Sequence, residues 1–252
     1  MAEGILFSGI TIEEQAMTEQ QPSKLVNWLG YLAITFLVVI PLAVLTVRSG
    51  AWQQGLMLYA LACLGSTLVF ALCACLLVLP KFSARRPAIG KRSLIALPGT
   101  ILLLSVVGGR GDYPPIHDIT TDTQDPPVFE AAVKARGDNS NPLDIKPDSI
   151  EAQRAAYPDL ETLRTPLSIE SAYDRALAVA GELGWEVYRQ DLNAGHIEAV
   201  DTTAIMAFKD DVVIRLRTNA DGTLIDLRSV SRVGLGDIGA NAKRIRAFIE
   251  AF

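Results

Sequence analysis

The sequence predicts three N-terminal transmembrane α-helices followed by a C-terminal α+β domain, which has an antiparallel sheet of about four strands and two flanking helices. Half of the 252 residues are hydrophobic, and the mean hydropathy of +0.27 is high for a soluble chain. Three apolar runs precede residue 108, whereas helical and alternating patterns follow residue 166. We therefore divide the chain into a cytoplasmic tail (1–24), a membrane anchor (25–107), a connector packed on the domain (108–166) and the domain itself (167–252).

The three apolar runs differ in length. Residues 25–47 and 56–79 are each long enough to cross a hydrocarbon core of about 30 Å. The third run, residues 93–107, reaches roughly 22 Å as a helix. It crosses the membrane if its flanking basic side chains snorkel or if the bilayer thins locally. We expect all three runs to span, after a polar tail (1–24) that lacks the pattern of a secretory signal.

A basic loop between the second and third runs sets the expected orientation. It contains Lys81, Arg85, Arg86, Lys91 and Arg92, whereas the loop between the first two runs has one Arg. Short loops rich in Lys and Arg stay cytoplasmic, and binding to lipid headgroups favours the same leaflet. We expect a multi-pass protein of the bacterial inner membrane with a periplasmic C-terminal domain. If the third run does not span, the domain is cytoplasmic.

Charge and cysteine positions limit the partners. From Arg110 onward the chain has 24 acidic and 16 basic residues, which argues against binding of nucleic acid. The cysteines Cys63, Cys73 and Cys75 lie in the second apolar run, so the domain has no disulfide, zinc cluster or cysteine nucleophile. We expect no cofactor and no metal. The expected partners are the lipid bilayer and an envelope protein or small anionic ligand.

The connector is rich in Pro, Gly, Asp, Asn and Thr and has no sustained periodicity. Short helices are possible at residues 128–135 and 149–156. His117 is followed closely by three aspartates, so one reading is an oxygen-rich cation site. The spacing matches no calcium loop, and we favour a loop in which the Asp and Thr side chains form turns.

The domain begins with a predicted helix over Ser168–Leu183, with Ser168 as N-cap and Gly184 as the stop. Alternating patterns then predict four strands. These are Trp185–Arg189, His196–Thr202, Asp211–Thr218 and Thr223–Arg232. His196 opens the second strand and is expected to be an exposed edge residue.

The last two strands have one consistent register. If residues 219–222 form a four-residue loop, Thr218 faces Thr223 and apolar residues pair with one another on one face of the sheet. On the other face Arg215 meets Asp226, a pair that adds about 0.2–1 kcal/mol. A slip of one residue would scramble both faces, so burial selects this register.

A final amphipathic helix follows the glycine-rich segment 233–236, with Asp237 as its expected N-cap. Its buried stripe is expected to contain Ile238, Ala242, Ile245, Ile249 and Phe252, with Phe248 at one edge. Asn241 lies within this stripe and Arg244 beside it. Because a buried Asn must find hydrogen-bond partners, we look for them at the end of the sheet nearest this helix.

That sheet end is the candidate binding site. The predicted register and helix bring seven polar residues to it: Asp210, Ser229, Ser231, Arg232, Asp237, Asn241 and Arg244. In one interpretation they form a polar latch that ties the first turn of the helix to the sheet. In the other, the helix N-terminus and the two arginines form a small anionic pocket. The carboxylate of Asp237 counts against the pocket, because it already occupies that position.

The domain contains five distinctive stretches, which are PPIHDITTDTQDPP, AAYPDL, GWEV, FKDDVVIRLR and RSVSRVGLGDIGANAKRIRAF. Together they resemble the domain-of-unknown-function 1499 family, in its membrane-anchored proteobacterial form. The likeness covers roughly Tyr113–Phe252, and three membrane helices ahead of the domain fit that form. The family is uncharacterised, so the resemblance implies no reaction, cofactor or catalytic residue. It implies that Tyr113–Phe252, connector included, is one unit.

Two functions from different classes remain. The first is a non-catalytic module that binds a partner or ligand in envelope upkeep. The second is a membrane-bound, hydrolase-like enzyme that uses Ser229 or Ser231 as nucleophile with Asp210 nearby. The sequence has no nucleophile elbow and no His placed beside either Ser, which favours the first. An open cleft at the polar cluster would favour the enzyme, whereas groups buried and hydrogen-bonded to one another would count against it.

Overall fold

The computed structural model describes residues 23–109, 111–137 and 139–252. The chain forms two compact units, Met1–Gly109 and Arg110–Phe252. The predicted tail lies outside the described residues, apart from its last two.

The described part of the first unit contains three long helices: α1 (Lys24–Arg48), α2 (Trp52–Val78) and α3 (Arg86–Gly108). A 3-10 turn, Pro80–Arg85, joins α2 to α3. All three helices are long and apolar enough to cross a membrane. Their best windows have mean hydropathies of 2.4 and 2.5 for α1 and α2, and 1.4 for α3 taken with the preceding turn.

The third helix is longer than the predicted run of residues 93–107. It has 23 residues, about 34 Å at 1.5 Å per residue, which is long enough for a span. The helix begins within the basic loop, at Arg86, and the guanidinium of Arg92 has acceptors on its own helix and on α1. Nη1 of Arg92 donates to the carbonyl of Ala88 at 2.8 Å, and its Nε donates to the carbonyl of Val26 at 3.3 Å.

Small residues let these helices approach closely. A Cβ on Gly65 would lie 2.3 Å from the ring of Phe36, and a Cβ on Gly99 would lie 2.4 Å from the hydroxyl of Ser66. Small residues at helix contacts are typical of membrane bundles, where packing replaces the hydrophobic effect as the driving force.

The described part of the second unit is built on an antiparallel sheet of six strands. These are β1 (Asp118–Thr120), β2 (Leu163–Thr165), β3 (Glu186–Asp191), β4 (His196–Thr202), β5 (Lys209–Asn219) and β6 (Gly222–Ser231). The order is β1-β6-β5-β4-β3, and β2 also pairs with β6. The four predicted strands are β3 to β6. The connector adds the other two along the edge of β6, which would otherwise be left unpaired.

The predicted register of β5 and β6 is confirmed at every pair, including Thr218 opposite Thr223 and Arg215 opposite Asp226. The predicted loop was too long. Because the ladder continues one pair further, to Asn219 and Gly222, a two-residue turn closes the hairpin.

Four helices accompany the sheet in the described part of this unit: α4 (Ala132–Ala135), α5 (Pro147–Ala156), α6 (Ile169–Glu182) and α7 (Ala240–Ala251). Helices α6 and α7 pack on one face of the sheet, here called the helix face, over an apolar core that includes Ile214, Leu227 and Phe248. The connector around α4 covers the opposite face, here called the connector face.

Helix α6 begins and ends where the sequence predicts. The hydroxyl of Ser168 accepts a hydrogen bond from the backbone N–H of Ser171 at 3.3 Å. At the other end Gly184 is left-handed (φ +77), and the N–H of Trp185 donates to the carbonyl of Ala180 at 2.9 Å. This is the hydrogen bonding of a Schellman motif, which satisfies carbonyls that the helix end leaves unpaired.

Helix α7 begins later than predicted, and its buried stripe shifts accordingly. The chain is still turning after Asp237, and the helix begins at Ala240 with left-handed Gly239 (φ +76) at the N-cap position. Ile238 therefore lies outside the helix and is 56% exposed, contrary to its expected place in the stripe. Phe248, expected at the edge, is fully buried.

Candidate functional site

Asn241, at the start of α7, joins the helix to the end of the sheet. Its Oδ1 accepts hydrogen bonds from Ser229 Oγ and from Nη1 of Arg244, both at 2.6 Å. Its Nδ2 donates to Ser231 Oγ at 2.9 Å and to the carbonyl of His117 at 3.0 Å. The fully buried amide thus uses its full hydrogen-bonding capacity inside the domain.

Arg244 extends this cluster to two aspartates on neighbouring strands. Its Nη2 donates to Asp210 at 2.6 Å, its Nε donates to Asp201 at 2.7 Å, and its Nη1 also donates to Ser229 Oγ at 3.0 Å. The guanidinium side chain is 6% exposed. Asp201 was not among the predicted site residues, although pairing β4 with β5 places it opposite Asp210.

Asp237 caps the first turn of α7 from outside the helix. Its carboxylate accepts hydrogen bonds from the backbone N–H groups of Gly239 at 2.9 Å and Asn241 at 2.7 Å. Burial raises the pKa of Asp237 above its ordinary value, although these two hydrogen bonds act in the opposite direction. The side-chain carboxyl group of Asp237 therefore already occupies the helix N-terminus, in keeping with the latch interpretation.

Arg232 does not join this cluster, and its predicted place there was wrong. Neighbouring residues of a strand lie on opposite faces, so Arg232 lies on the connector face while Ser231 lies on the helix face. It forms a bidentate pair with Asp211, at 2.9 Å from Nε and 2.7 Å from Nη2. The structure brings the other six predicted residues together and adds Asp201.

Asp211 is the centre of a second polar network, on the connector face. Its fully buried carboxylate pairs with Arg232 and also with Arg136, whose Nη1 lies at 2.8 Å. The hydroxyl of Tyr188 donates to it at 3.4 Å. Burial raises the pKa of Tyr188 far above its ordinary value, and the negative charges of Asp211 and Glu198 raise it further. The tyrosine is thus held neutral, as a donor.

Glu198 binds the backbone of the connector on the same face of the sheet. Its carboxylate accepts hydrogen bonds from the backbone N–H groups of Glu130, Ala131 and Ala132 at 2.7–2.8 Å and lies 3.0 Å from Nε2 of His196. Burial by itself raises the pKa of Glu198, but these partners outweigh it and lower the pKa to about 2. The expected exposure of His196 was wrong: it is buried, because β4 is an interior strand and Glu198 holds the ring.

Arg228 ties β6 to the connector at several points. Its guanidinium pairs with Asp118, at 3.0 Å from Nε and 2.7 Å from Nη2. It also donates to the carbonyls of Pro127 and Leu143 and lies over the ring of Phe129, 5.3 Å from the centroid. A buried arginine needs this many partners, because an unpaired charge costs several kcal/mol in the interior (about 3–5).

The aspartates that follow His117 bind arginine. Asp122 and Asp125 contact Arg215 at 3.1 and 2.8 Å, beside its predicted partner Asp226 at 3.0 Å. Burial raises the pKa of Asp122, but backbone N–H groups and the nearby arginines outweigh it, so the pKa is lowered. Among the residues that the structure describes, no group of three or more His, Cys, Asp and Glu is arranged to hold a metal.

A surface cleft of about 300 Å³ borders the latch. It is lined by Leu183, Trp185, Asp201, Ala240, Lys243, Arg244 and Ala247. The charges of Arg244 and Asp201 are paired with each other, whereas Lys243 is exposed. The cleft is thus an apolar hollow with a lysine at its rim, and it meets the latch along one side.

The side chains of both polar networks belong to the part of the chain that matches a known protein family. Residues 118–252 match the model of a family described as proteins of unknown function, DUF1499. The chain belongs to the DUF1499 family. No curated protein and no solved structure matches the chain. In this DUF1499 protein the match begins at Asp118, the first residue of β1, so it includes the connector strands together with the sheet and α7.

Proposed function

We propose that this DUF1499 protein is a multi-pass protein of the bacterial inner membrane that displays its C-terminal domain in the periplasm. There the domain acts as a non-catalytic module that binds an envelope protein or a small anionic ligand in envelope upkeep. The observation that carries the proposal is that the polar groups of the latch are hydrogen-bonded to one another and to other groups of the domain. Asn241 and Arg244 use their hydrogen-bonding groups on partners within the domain.

The hydroxyls of the latch are structural donors and acceptors. Ser229 Oγ donates to Asn241 and accepts from Arg244, and Ser231 Oγ accepts from Asn241. In the described part of the chain neither hydroxyl has a His side chain as hydrogen-bond partner, whereas a serine nucleophile needs an adjacent base. The geometry therefore favours a latch over the hydrolase-like alternative.

The cleft beside the latch is the proposed binding surface. Its apolar wall includes Trp185, whose ring stacks on Phe248 at 5.7 Å, so the wall is firmly supported. Lys243 is the exposed cation at its rim. An occupant with an apolar part and a negative group matches this combination.

The basic loop and the number of helices support the proposed side of the membrane. If the loop before α3 stays cytoplasmic and α3 spans, the chain after Gly108 is periplasmic. Alkaline phosphatase and green fluorescent protein fused in turn after Phe252 test this. We expect phosphatase activity without fluorescence. Fusions after Gly50 and after Ser83 serve as the periplasmic and cytoplasmic controls, and a fluorescent fusion at Phe252 would contradict the proposal.

A photocrosslinking residue at Ala247, inside the cleft, tests binding in intact cells. We expect an adduct on the full-length protein, detected by intact mass, that Lys243→Glu abolishes. Lys134→Glu reverses another exposed charge, on the connector, and should leave the adduct unchanged. An adduct that is absent, or that both reversals reduce alike, would show that the cleft is not the binding surface.

A further inference from the structure

Large apolar side chains are exposed at one end of the sheet in the second unit. Leu235 is 88% exposed, Ile205 70%, Ile238 56% and Tyr113 48%. We call these four residues the apolar end patch. Exposed apolar groups that cluster in this way mark contact surfaces on folded proteins more often than single exposed residues do.

Strand pairing places the members of the patch at the same end. Ile205 lies in the loop between β4 and β5, which leaves the sheet at the pair Thr202 and Lys209. Leu235 and Ile238 lie in the loop after β6. Strand β6 ends at Ser231, which pairs with Asp210 near the start of β5. The backbone N–H of Ser231 donates to the carbonyl of His117 at 2.9 Å, so the segment that contains Tyr113 enters β1 there as well.

The two loops are strained and firmly held. Among the described residues, two non-glycine residues have a positive φ, and they are Ala207 (φ +55) and Ile238 (φ +52), one in each loop. A β-branched residue is costly in this conformation, and glycine or asparagine would relieve the strain. Asn141 fixes the second loop by donating to the carbonyl of Gly234 at 2.8 Å. Ile238 is thus held in an unfavourable backbone conformation, although its side chain lies mostly outside the core.

The patch is next to the point where the chain arrives from the membrane anchor. Tyr113 follows Gly108, the last residue of α3, by five residues. Its ring packs on Gly239 so closely that a Cβ there would lie 2.6 Å from it. At the opposite end of the sheet, Leu192 and Leu167 are less exposed, at 44% and 38%.

We propose that the apolar end patch seats this domain in the interfacial layer of the bilayer that α1, α2 and α3 cross. Aliphatic and aromatic side chains in a segment that follows a membrane helix closely in sequence suit the boundary between headgroups and acyl chains. Lys209, exposed between the two loops, suits a headgroup phosphate. The lipid surface is the occupant that the chain connection favours, since the segment from α3 enters the domain at this end. The proposal requires the anchor to be in a bilayer, but it holds on either side of the membrane.

Depth-dependent quenching in the full-length protein tests the proposal. In a background with Cys63, Cys73 and Cys75 changed to Ala, single cysteines from Leu235→Cys, Ile238→Cys and Leu192→Cys receive an environment-sensitive fluorophore. The protein is reconstituted in phosphatidylethanolamine and phosphatidylglycerol vesicles. We expect acyl-chain nitroxide lipids to quench positions 235 and 238 several-fold more than position 192. Iodide on both sides of the membrane should give the reverse order.

Two outcomes would overturn the proposal. Iodide quenching of all three positions alike would show a water-exposed patch. Shielding of positions 235 and 238 from both quenchers would indicate a protein partner or a second copy of the chain. Neither outcome depends on the phosphatase fusions, so failure here is distinguishable from failure of the proposed sidedness.

A second variant removes the apolar surface without touching the core. With the fluorophore at Ile205→Cys, the pair Leu235→Asp and Ile238→Asp should lower lipid quenching to the level of position 192. The matched change Leu192→Asp should leave it unaltered. Because Leu235 and Ile238 are largely exposed, circular dichroism should show an intact fold. Unchanged lipid quenching at position 205 would contradict the patch.

Discussion

The two faces of the sheet are both buried, but they are buried with different chemistry. On the helix face, Ile197, Val212 and Ile214 form an apolar core, and polar groups occur at the end where Asn241 and Arg244 form the latch. On the connector face charged side chains are spread along the strands, among them fully buried Glu198, Asp211 and Asp226. Helices cover the first face, and a chain segment with little regular structure covers the second.

This difference follows from what each covering element can offer. A helix satisfies its own backbone, so it presents apolar side chains to the sheet. The connector has unpaired backbone groups, and the sheet side chains bind them: Glu198 accepts from N–H groups of the connector, and Arg228 donates to its carbonyls. The charges therefore fix the path of the connector, while the apolar face supplies most of the hydrophobic stabilisation.

The largest effect is expected from Asp211→Ala. It leaves Arg136 and Arg232 without their shared carboxylate in a buried site, at a cost of about 3–5 kcal/mol. Hydrogen exchange on the full-length protein in detergent should show faster exchange in residues 130–146 and in β6. Lys134→Ala, at an exposed position of the same connector, is the control and should change little. A loss below about 1 kcal/mol would mean that the network does not hold the connector.

Acid should weaken the connector face through Glu198. Its pKa in the folded protein is about 2, below the ordinary value of 4.5. The stabilisation is therefore fully present above about pH 4.5 and is lost as the pH falls through 2, a change of roughly 3 kcal/mol. Thermal unfolding of the full chain in detergent between pH 6 and pH 2.5 measures it. Glu198→Gln should be less stable at pH 6 and less sensitive to acid, and parallel curves for the two proteins would contradict the assignment.

Local patterns predicted the helix face well because its signals are short in range. Alternation between residues 210 and 231 determined the register of β5 and β6, and the helical spacing after residue 237 placed Asn241 and Arg244 at the end of the sheet. The errors at the start of α7 arose because the glycine-rich turn continues two residues further than the capping pattern indicates.

The connector face could not be predicted in the same way. Charged residues that alternate along a strand have the pattern of a solvated face, and alternation does not show what covers them. The cover lies far away in sequence: Asp118 pairs with Arg228, and Arg136 pairs with Asp211. The signal that could have found it is the presence of Val213 and Val230 on the charged face, where burial of apolar residues required a cover.

Removal of the Asn241 side chain from the latch should lower the free energy of unfolding by less than removal of the Asp211 carboxylate. Asn241→Ala leaves the His117 carbonyl and two serine hydroxyls with fewer partners, but Arg244 keeps both of its aspartates. We expect a loss of about 2 kcal/mol. Hydrogen exchange should increase in α7 first, with residues 130–146 unaffected. Increased exchange in residues 130–146 would show that the two faces are coupled rather than independent.

The smallest effect is expected for an ion pair with good geometry but little burial. Arg246 contacts Asp159 through Nε at 2.6 Å and Nη2 at 2.8 Å, and the two side chains are 38% and 53% exposed. Water screens such a pair, so a double-mutant cycle of Arg246→Ala and Asp159→Ala should give a coupling of about 0.2–1 kcal/mol. The contact distances are close to those of Asp211 and Arg232, at 2.9 and 2.7 Å, but this pair is far more exposed and Asp159 has one arginine partner where Asp211 has two. A coupling as large as the loss in Asp211→Ala would show that burial does not distinguish the connector face from the surface.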